Sequence, residues 1–445
     1  MKYLRSTVLG AFIANLYEKM GWDVIKMNYL GDWGKPVGLL GVGWERGGSE
    51  EQFKADPVSH LLDVNRQINE QFAPEEAAVK KEKHKKKRRD SNEPADMEAH
   101  GLHAARNAFC RRLENGEERA LAFSKRVRDV NIEYYTKQYA RLNVSFDEYS
   151  GESQVQQESM AKVEEILKSK GLCEERDGAW AIDLNKHTGR PGMAIIRDRT
   201  GSTTYLLREL AAVLDREQKY SFDKMIYVVA ADHTVHFSRL VTVLELMGQT
   251  DLANKLQHVS FSENSQFSEK VGPADTLDKI IDQFKNGVAA AIQANPDKAT
   301  ILGKDDLAVE ALLIQELSLK RATDHAFDVD RMTSFERGTG LYLQWWYSKL
   351  GSVLEANASV DSNDVLEIED LNLLRILAQY PEVTLAAYTN LEPAGISMYL
   401  MNVVEQLSRC LEAIEEENQI SGAQKALFGA ARIVLENGMG MLGIV

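Results

Sequence analysis

The amino-acid chain has 445 residues and a mass of 50.0 kDa, which corresponds to two or three domains at about 150 residues per domain. Hydrophobic residues make up 44% of the chain and charged residues 27%, a balance that allows large buried cores and excludes a disordered or fibrous protein. No run approaches the ~18 apolar residues of a membrane-spanning helix, and three widely spaced cysteines exclude a disulfide framework. These properties predict a cytoplasmic protein without a membrane partner.

The charge of the chain is distributed unevenly. Its net charge is −14, yet the ten residues from Lys80 to Arg89 (KKEKHKKKRR) carry +7, so the other 435 residues carry −21. A basic tract on an acidic body favours a polyanion as partner, although a solvated linker or a nuclear-localisation-like run has the same composition. The candidate contacts with nucleic acid are Lys80, Lys81, Lys83, Lys85, Lys86, Lys87, Arg88 and Arg89.

Apolar periodicity predicts the elements of the first third of the chain. Apolar residues recur every four positions from Val8 to Met20, which predicts an amphipathic helix over residues 4–20. The segments predicted next are a strand over 23–30 that ends in Gly31-Asp32-Trp33-Gly34, a helix over 57–72, a charged and disordered insertion over 74–94, and helical sequence over 100–142. Polar residues at the end of a strand, such as Asp32, lie where α/β proteins bind their ligands.

The second part of the chain changes from alternating elements to helices alone. Residues 224–231 are predicted to form a buried parallel strand between helices over 205–216 and 235–247, and this alternation is typical of a doubly wound sheet. Beyond residue 307 the predicted elements are helices over 371–379, 396–416 and 424–438, the last with Gly438 as its predicted end. The predicted fold is therefore α/β, with a Rossmann-like parallel-sheet domain over 1–306 and an all-α helical-bundle domain over 307–445.

Two histidines, His233 and His236, follow the predicted strand at 224–231. Their spacing is compatible with metal ligation, but no third ligand lies nearby in the sequence, so we predict no metal site. The carboxyl end of a parallel strand is open to ligands, which favours a general acid or base role for one of them. As an alternative, both histidines are polar residues that cap a helix.

Acidic and phenolic side chains form a second group of candidate site residues. Residues 149–154 (YSGESQ) are a dense polar patch, and Tyr205 and Glu209 lie four positions apart, on one face of a helix. Carboxylates with a phenol suit a guanidinium group, which keeps its charge and presents five donors in a fixed geometry. An ordinary turn and a salt bridge in the core explain the same residues without a ligand.

Six segments, in this order along the chain, resemble segments of the eukaryotic cytosolic arginyl-tRNA synthetases, which are class I enzymes. The segments are residues 4–7 (LRST), 27–34 (MNYLGDWG), 149–160 (YSGESQVQQESM), 222–229 (FDKMIYVV), 338–344 (GTGLYLQ) and 429–438 (GAARIVLENG). The resemblance implies a Rossmann-like catalytic domain, a helical anticodon-binding domain that docks tRNA, and a basic insertion. By motif position it implies that Glu152 and Tyr205 contact the guanidinium of arginine, with Glu209 in place of the family's aspartate. Asp232 and His233 stand in place of the family's glutamines.

Two departures from the family pattern concern the segments that bind ATP. In the family a His-x-Gly-His signature directly precedes LRST; here Lys2 and Tyr3 occupy its last two positions. From the resemblance we expect a sheet domain without its first strand and without the family's upstream tRNA-binding domain. The second signature, which reads like MSTRKG in the family, is FSEKVG here at residues 267–272, and Glu269 places a negative charge where the triphosphate would bind. These departures predict that the protein has no cofactor and does not use ATP.

The main functional hypothesis is a tRNA-dependent cyclodipeptide synthase of the fungal arginine-containing type. It would take arginine from arginyl-tRNA and a second residue from another aminoacyl-tRNA, and close a diketopiperazine. In this hypothesis the substrate-binding residues are Glu152, Tyr205, Glu209, Ser150 and Asp32. His233 is the base that deprotonates the attacking amine, and Tyr3 donates to the developing oxyanion. The alternatives are an arginyl-tRNA synthetase, from a truncated gene model, that ligates arginine to tRNA with ATP, and a non-catalytic tRNA-binding paralogue.

Overall fold

The computed structural model describes residues 2–86, 98–176, 178–262, 276–299, 302, 307–324, 327–356, 366–417 and 420–444. Its strands are β1 (Met27–Leu30), β2 (Glu148–Gly151), β3 (Cys173–Arg176), β4 (Ala179–Asp183), β5 (Met193–Arg197), β6 (Met225–Ala230) and β7 (Leu256–Phe261). Its helices in the first half are α1 (Lys2–Lys19), α2 (Lys35–Gly47), α3 (Glu50–Ala55), α4 (Pro57–Lys86), α5 (Gly101–Glu114), α6 (Glu118–Ala140), α7 (Gln157–Ser169), α8 (Leu184–Thr188) and α9 (Tyr205–Tyr220). The remaining helices are α10 (Thr234–Leu246), α11 (Thr250–Lys255), α12 (Leu277–Ala294), α13 (Pro296–Ala299), α14 (Leu307–Leu317), α15 (Val329–Met332), α16 (Gly340–Ala356), α17 (Ile368–Leu377), α18 (Tyr380–Asn390), α19 (Pro393–Glu417) and α20 (Gly422–Met441).

The described strands form two parallel pairs and one antiparallel sheet. β1 pairs with β2 in parallel, with Met27 opposite Glu148, and β6 pairs with β7 in parallel, with Met225 opposite Leu256. β3, β4 and β5 form an antiparallel sheet in that order. Parallel neighbours need a crossover connection, which helices supply in both pairs. The carboxyl ends of the parallel strands are the positions where this kind of fold binds ligands.

One hydrophobic core spans both halves of the chain. Leu9 from α1, Leu312 from α14 and Leu400 from α19 are each fully buried in this cluster. The side-chain amide of Asn15 also donates a hydrogen bond to the backbone oxygen of Gly440, at 3.3 Å. The first helix therefore packs against the C-terminal helices, so that the sheet domain and the helical domain share one core.

Helix α4 is longer than the sequence predicts. The disorder predicted for residues 74–94 is wrong for their first part, because α4 continues to Lys86. The Glu75 carboxylate accepts a hydrogen bond from the backbone N–H of Leu102 at 2.9 Å, and this contact holds the extended helix against the start of α5. Residues 87–94 lie outside the described residues.

Gly438, the predicted end of the last helix, lies inside that helix instead. α20 continues to Met441, and a Cβ atom at Gly438 would approach Leu400 Cδ2 to within 2.5 Å. Both residues are buried. The glycine is therefore needed for close packing between α19 and α20 and not for a helix cap.

The predicted fold class is confirmed. An α/β part with parallel strands precedes a part in which every element described after Leu307 is a helix. The strand predicted over 224–231 is present as Met225–Ala230, whereas the strand predicted over 23–30 is shorter, because only Met27–Leu30 pairs with a neighbouring strand. Within the described residues, no helix combines the length and the hydropathy that a bilayer crossing requires.

Candidate active site

Buried and half-buried polar side chains from several elements meet near the carboxyl ends of the parallel strands. We call this group the polar cluster: Tyr29 on β1, Glu152 after β2, Tyr205, Arg208, Glu209 and Arg216 on α9, Tyr227 on β6, and His236 on α10. Helix α9 begins at Tyr205 because Thr204 Oγ1 accepts a hydrogen bond from the backbone N–H of Leu207 at 3.4 Å, which caps the helix. The start of α9 thus places four members of the cluster.

The first carboxylate of the polar cluster belongs to Glu152, which is 9% exposed. Its Oε2 atom accepts a hydrogen bond from Arg208 Nε at 2.7 Å, whereas no described residue donates to Oε1. Burial raises the pKa of Glu152, and the charge and hydrogen bond of Arg208 oppose that shift. Glu152 therefore has one oxygen held by the chain and one oxygen available to a ligand.

Arg208 is itself held by a second set of contacts. Its Nη1 atom donates to the backbone oxygen of Thr203 at 2.9 Å and to Thr203 Oγ1 at 2.6 Å. The backbone N–H and the hydroxyl of Thr203 donate in turn to Glu114 Oε1, each at 3.0 Å. Because a guanidinium is planar, hydrogen bonds from two of its nitrogens fix the plane in which Arg208 meets Glu152.

The second carboxylate belongs to Glu209, which is fully buried, with an exposed fraction of 0%. Its Oε1 atom accepts hydrogen bonds from Arg216 Nη1 at 3.0 Å and from the Tyr227 hydroxyl at 2.9 Å. Oε2 is buried, and no described residue donates to it. The Arg216 guanidinium also lies 4.6 Å from the centre of the Tyr29 ring, whose hydroxyl is buried without a described partner. Glu209 thus repeats the arrangement of Glu152.

An aromatic pair forms one side of the polar cluster. The ring centres of Tyr205 and His236 lie 4.5 Å apart, and His236 Nε2 is buried without a hydrogen-bond partner among the described residues. Burial lowers the pKa of His236 to about 4 and raises the pKa of Tyr205. Both side chains are therefore uncharged at neutral pH and can form hydrogen bonds with a ligand without adding charge to the cluster.

The arrangement suits a cation that carries several donors. The charges of Glu152 and Glu209 are balanced inside the chain by Arg208 and Arg216, so these four groups are neutral together before a ligand binds. Because these groups carry no net charge together, they bind a ligand through directional hydrogen bonds, with one acceptor oxygen on each carboxylate. A guanidinium fits two fixed acceptors better than an ammonium does, because its donors are spread over a rigid plane.

Asp32 and Ser150, both predicted to bind substrate, have different surroundings. Asp32 Oδ1 and Oδ2 accept hydrogen bonds from the backbone N–H and the hydroxyl of Ser153, at 2.9 and 2.6 Å. Oδ2 also accepts from Arg128 Nε at 2.8 Å. These bonds fix the turn that carries Glu152, and the contact of Asp32 with substrate stays a prediction. Ser150 is half-buried on β2, and its contact with substrate stays a prediction.

The predicted base His233 lies at the edge of this region and is half-buried. It belongs to the short turn Ala231–His233 that follows β6, with 40% of its side chain exposed, and its Nε2 atom is 3.7 Å from Asp232 Oδ1. The histidine that packs on Tyr205 is His236. The side chain of Tyr3, the predicted oxyanion donor, lies outside the described part of the chain.

The predicted nucleic-acid contacts are described only in part. Lys80 and Lys81 are exposed on α4, and Lys80 forms an ion pair with Glu76 at 3.0 Å. The structure describes the helical backbone alone for Lys83, Lys85 and Lys86, and it does not describe Lys87, Arg88 and Arg89. The described start of the basic tract therefore lies on an exposed helix, and its contact with nucleic acid stays a prediction.

Sequence analysis missed the cations and two of the phenols of the polar cluster. Arg216 follows Glu209 by seven positions on one helix, a spacing of two turns that places both on one face, so this pair had a usable signal. Arg208 and Glu152 are 56 positions apart, and no periodicity relates them. Tyr29 and Tyr227 lie inside strands, where the sequence pattern does not show which neighbour their hydroxyls reach.

Known proteins similar to this chain share its whole length. Residues 1–329 match the family described as tRNA synthetases class I (R), catalytic domain, and residues 343–445 match the DALR anticodon binding domain. The chain is 40% identical to the cytoplasmic arginine–tRNA ligase of Saccharomyces cerevisiae, over 99% of this chain and 72% of that protein. It is 36% identical to the mitochondrial arginine–tRNA ligase of the same yeast, over 100% of this chain and 69% of that protein. The arginyl-tRNA synthetase structure from Plasmodium falciparum has the same fold, with a TM-score of 0.75 at 18% identity over 100% of this chain and 73% of that chain.

Two predictions, the cyclodipeptide-forming reaction and the independence from ATP, are wrong. Curated relatives that are 30–40% identical over nearly the whole chain are named as arginine–tRNA ligases, and a ligase of this kind forms its bond at the expense of ATP. These relatives give no support to a cyclodipeptide synthase or to a second aminoacyl-tRNA as partner. Their names include cytoplasmic and mitochondrial forms, so they do not decide the predicted cytoplasmic location.

Proposed function

We propose that this chain, because it belongs to the class I arginyl-tRNA synthetase family, joins arginine to tRNA at the expense of ATP. The observation that carries the proposal is the pair of carboxylates of Glu152 and Glu209. Each is held through one oxygen by an internal arginine, and each leaves its other oxygen for a ligand. The guanidinium of arginine has donors on several edges, which match two fixed acceptors.

The neutral members of the polar cluster complete the proposed arginine site. Burying a cation is costly unless each of its donors finds an acceptor. Glu209 Oε2 is the buried acceptor, and Glu152 Oε1 is the second. The Tyr29 hydroxyl and His236 Nε2, both buried without a described partner, add hydrogen-bonding groups that carry no charge. The guanidinium is then the one group that brings net charge into the cluster.

ATP and tRNA enter the proposal as substrates. The carboxylate of bound arginine attacks the α-phosphate of ATP, which forms an arginyl adenylate and releases pyrophosphate. A terminal hydroxyl of tRNA then accepts the arginyl group, and AMP leaves. The segments that the sequence assigns to ATP phosphates, residues 2–3 and 267–272, have no described side chains, so no residue is assigned to ATP. We assign the docking of tRNA to residues 343–445, which match an anticodon-binding domain. Residues 80–89 supply further phosphate contacts that weaken as the salt concentration rises.

The test is arginine-dependent charging of total tRNA by the purified protein in the presence of ATP. Glu152→Gln keeps the shape of the side chain and removes its charge. We expect the KM for arginine to rise by about 10- to 100-fold, the range for one hydrogen bond between charged groups. The matched control is Glu174→Gln, which removes one carboxylate of an exposed ion pair with Lys186 and should charge tRNA like the wild type.

Two results would count against the proposal. A wild-type protein that neither binds arginine nor charges tRNA would remove the function itself. A Glu152→Gln variant with an unchanged KM would remove Glu152 from the arginine site and leave the function in place.

A further inference from the structure

A buried ion pair connects α9 with the turn after β2. Arg208 is 5% exposed and Glu152 is 9% exposed. Two charges removed from water lose solvation free energy, which they regain only with good geometry and further hydrogen bonds. The pair has both, because Arg208 Nε reaches Glu152 Oε2 at 2.7 Å while Nη1 is bound to the two oxygen atoms of Thr203. Such a pair fixes the orientation of the carboxylate.

The orientation of Arg208 is in turn set from outside the polar cluster. Thr203 is anchored by Glu114, at the end of α5, which accepts from both its backbone N–H and its hydroxyl. A chain of three contacts therefore connects α5 with Glu152. Lysine at position 208 would retain a positive charge but not the planar fork that makes bonds from two nitrogens at once.

Arg208 also supplies the positive charge that Glu152 faces. Three charged groups act on the Glu152 carboxylate: Arg208 and Glu209 on α9, and Asp32 in the loop after β1. Asp32 is paired with Arg128 on α6. The phenols of Tyr29 and Tyr205 also lie beside Glu152. Burial raises the pKa of Glu152, Asp32 and Glu209 act in the same direction, and Arg208 opposes them. Without Arg208 the remaining influences all favour the protonated carboxyl group.

We propose that Arg208 is a positioning residue that keeps Glu152 ionised and turned, so that Glu152 Oε1 stays free for the guanidinium of the substrate. This inference rests on the proposed function, because it concerns the same arginine site. Arg208 does not touch the substrate; it acts through Glu152. Its loss therefore changes arginine binding in a pH-dependent manner, which the loss of a purely structural contact would not do.

The test measures arginine binding by calorimetric titration at pH 8 and pH 5. In Arg208→Met we expect weak binding that weakens further, by about tenfold per pH unit, once the pH lies below the pKa of Glu152. Arg208→Lys retains the charge, so it should lose affinity by a constant factor with a wild-type pH profile. The matched control is Arg126→Met, which removes an exposed ion pair with Glu50 and should bind arginine like the wild type at both pH values.

The outcomes separate this inference from the proposed function. Wild-type protein that does not bind arginine overturns the proposed function. Wild-type protein that binds arginine, together with Arg208→Met protein whose relative affinity is the same at both pH values, overturns the inference alone. If Arg208→Met does not fold, Thr203→Val carries the test, because it removes the hydroxyl under Arg208 Nη1 and leaves the ion pair in place. We then expect arginine affinity to fall by about tenfold, and unchanged affinity overturns the inference.

Discussion

The buried pair of Glu209 and Arg216 allows folding and ligand binding to be separated by experiment. Replacing Glu209 with Gln leaves the Arg216 guanidinium, which is 7% exposed, without its counter-charge. Removing one partner of a buried ion pair costs about 3–5 kcal/mol of unfolding free energy. The same change removes the negative charge of Glu209, to which we assign a hydrogen bond with the bound arginine. This loss costs about 1.5–3 kcal/mol of binding free energy. Glu209→Gln should therefore be less stable and bind arginine more weakly.

The double variant Glu209→Gln, Arg216→Met should recover one of these losses but not the other. Methionine is flexible and fills irregular space without a charge, so the isolated buried cation is gone and most of the lost stability should return. The ligand site is not restored, because glutamine offers the guanidinium no charge. Arginine affinity should therefore stay at the level of the single variant.

Urea unfolding and calorimetric titration with arginine measure the two quantities on the same four proteins: wild type, each single variant and the double variant. Each single variant leaves one charge of a buried pair uncompensated at a cost of about 3–5 kcal/mol, and the double variant should recover most of one such loss. Stability should therefore show a coupling energy of about 4 kcal/mol or more between positions 209 and 216, whose side chains are in direct contact. A double variant no more stable than Glu209→Gln would refute the argument about the buried cation. A double variant with wild-type arginine affinity would refute the proposal that the Glu209 carboxylate binds arginine.

Two further predictions concern stability. Gly438→Ala should be about 1–3 kcal/mol less stable in urea unfolding than Gly429→Ala. The reason is that a Cβ at position 438 meets buried Leu400, whereas a Cβ at position 429 in the same helix meets nothing within 4 Å. Equal stability of the two variants would exclude the packing role of Gly438. The pKa of His236 is about 4 in the folded chain and about 6.5 in the unfolded chain. As the pH falls below 6.5 the unfolded chain binds a proton at this residue before the folded chain does. The free energy of unfolding should therefore decrease by about 2 kcal/mol between pH 7 and pH 5. His236→Gln should lose this part of the pH dependence, and His233→Gln, at a half-buried position with 40% of its side chain exposed, should keep it. The opposite result would show that His236 is not held neutral.

Local patterns were sufficient to predict much of the fold. The apolar run that forms β6 and the helices on either side of it gave the alternation of an α/β domain, and the helices beyond Leu307 followed from their periodicity. The four-residue spacing of Tyr205 and Glu209 was enough to predict that both lie on one face of a helix, and both lie on α9. Each of these features depends on residues close together in the sequence.

The features that could not be predicted depend on contacts between distant segments. Helix α4 extends past its predicted end because Glu75 binds a backbone N–H at the start of α5, 27 positions away. Gly438 looked like a helix end because the residue type is common there, yet Leu400 of another helix determines its role. His233 and His236 have the same chemistry, and only the direction in which α10 begins decides which one packs on Tyr205.

The functional prediction failed at a different point. The six resembling segments predict the correct family, whereas the departures at residues 2–3 and 267–272 predict the wrong reaction. Relatives 40% identical over 99% of the chain outweigh two short segments, and the structure describes no side chain in either one. The proposed arginine site is consistent with this family, because two carboxylates held by internal arginines are present in it.

In the proposed arginine site, we expect the internal arginines to determine the selectivity for arginine over lysine. Arginine and lysine both carry one positive charge, and the four charged groups of the polar cluster are neutral together, so attraction over distance favours neither. A lysine ammonium places its donors at one point; on reaching Glu152 Oε1 it would leave the buried Glu209 Oε2 without a donor. A site built on hydrogen bonds to its ligand discriminates by about 10⁴- to 10⁵-fold against an analogue that cannot make those bonds. We expect Arg208 and Arg216 to create this discrimination, because they fix where the two oxygens that lack a donor point.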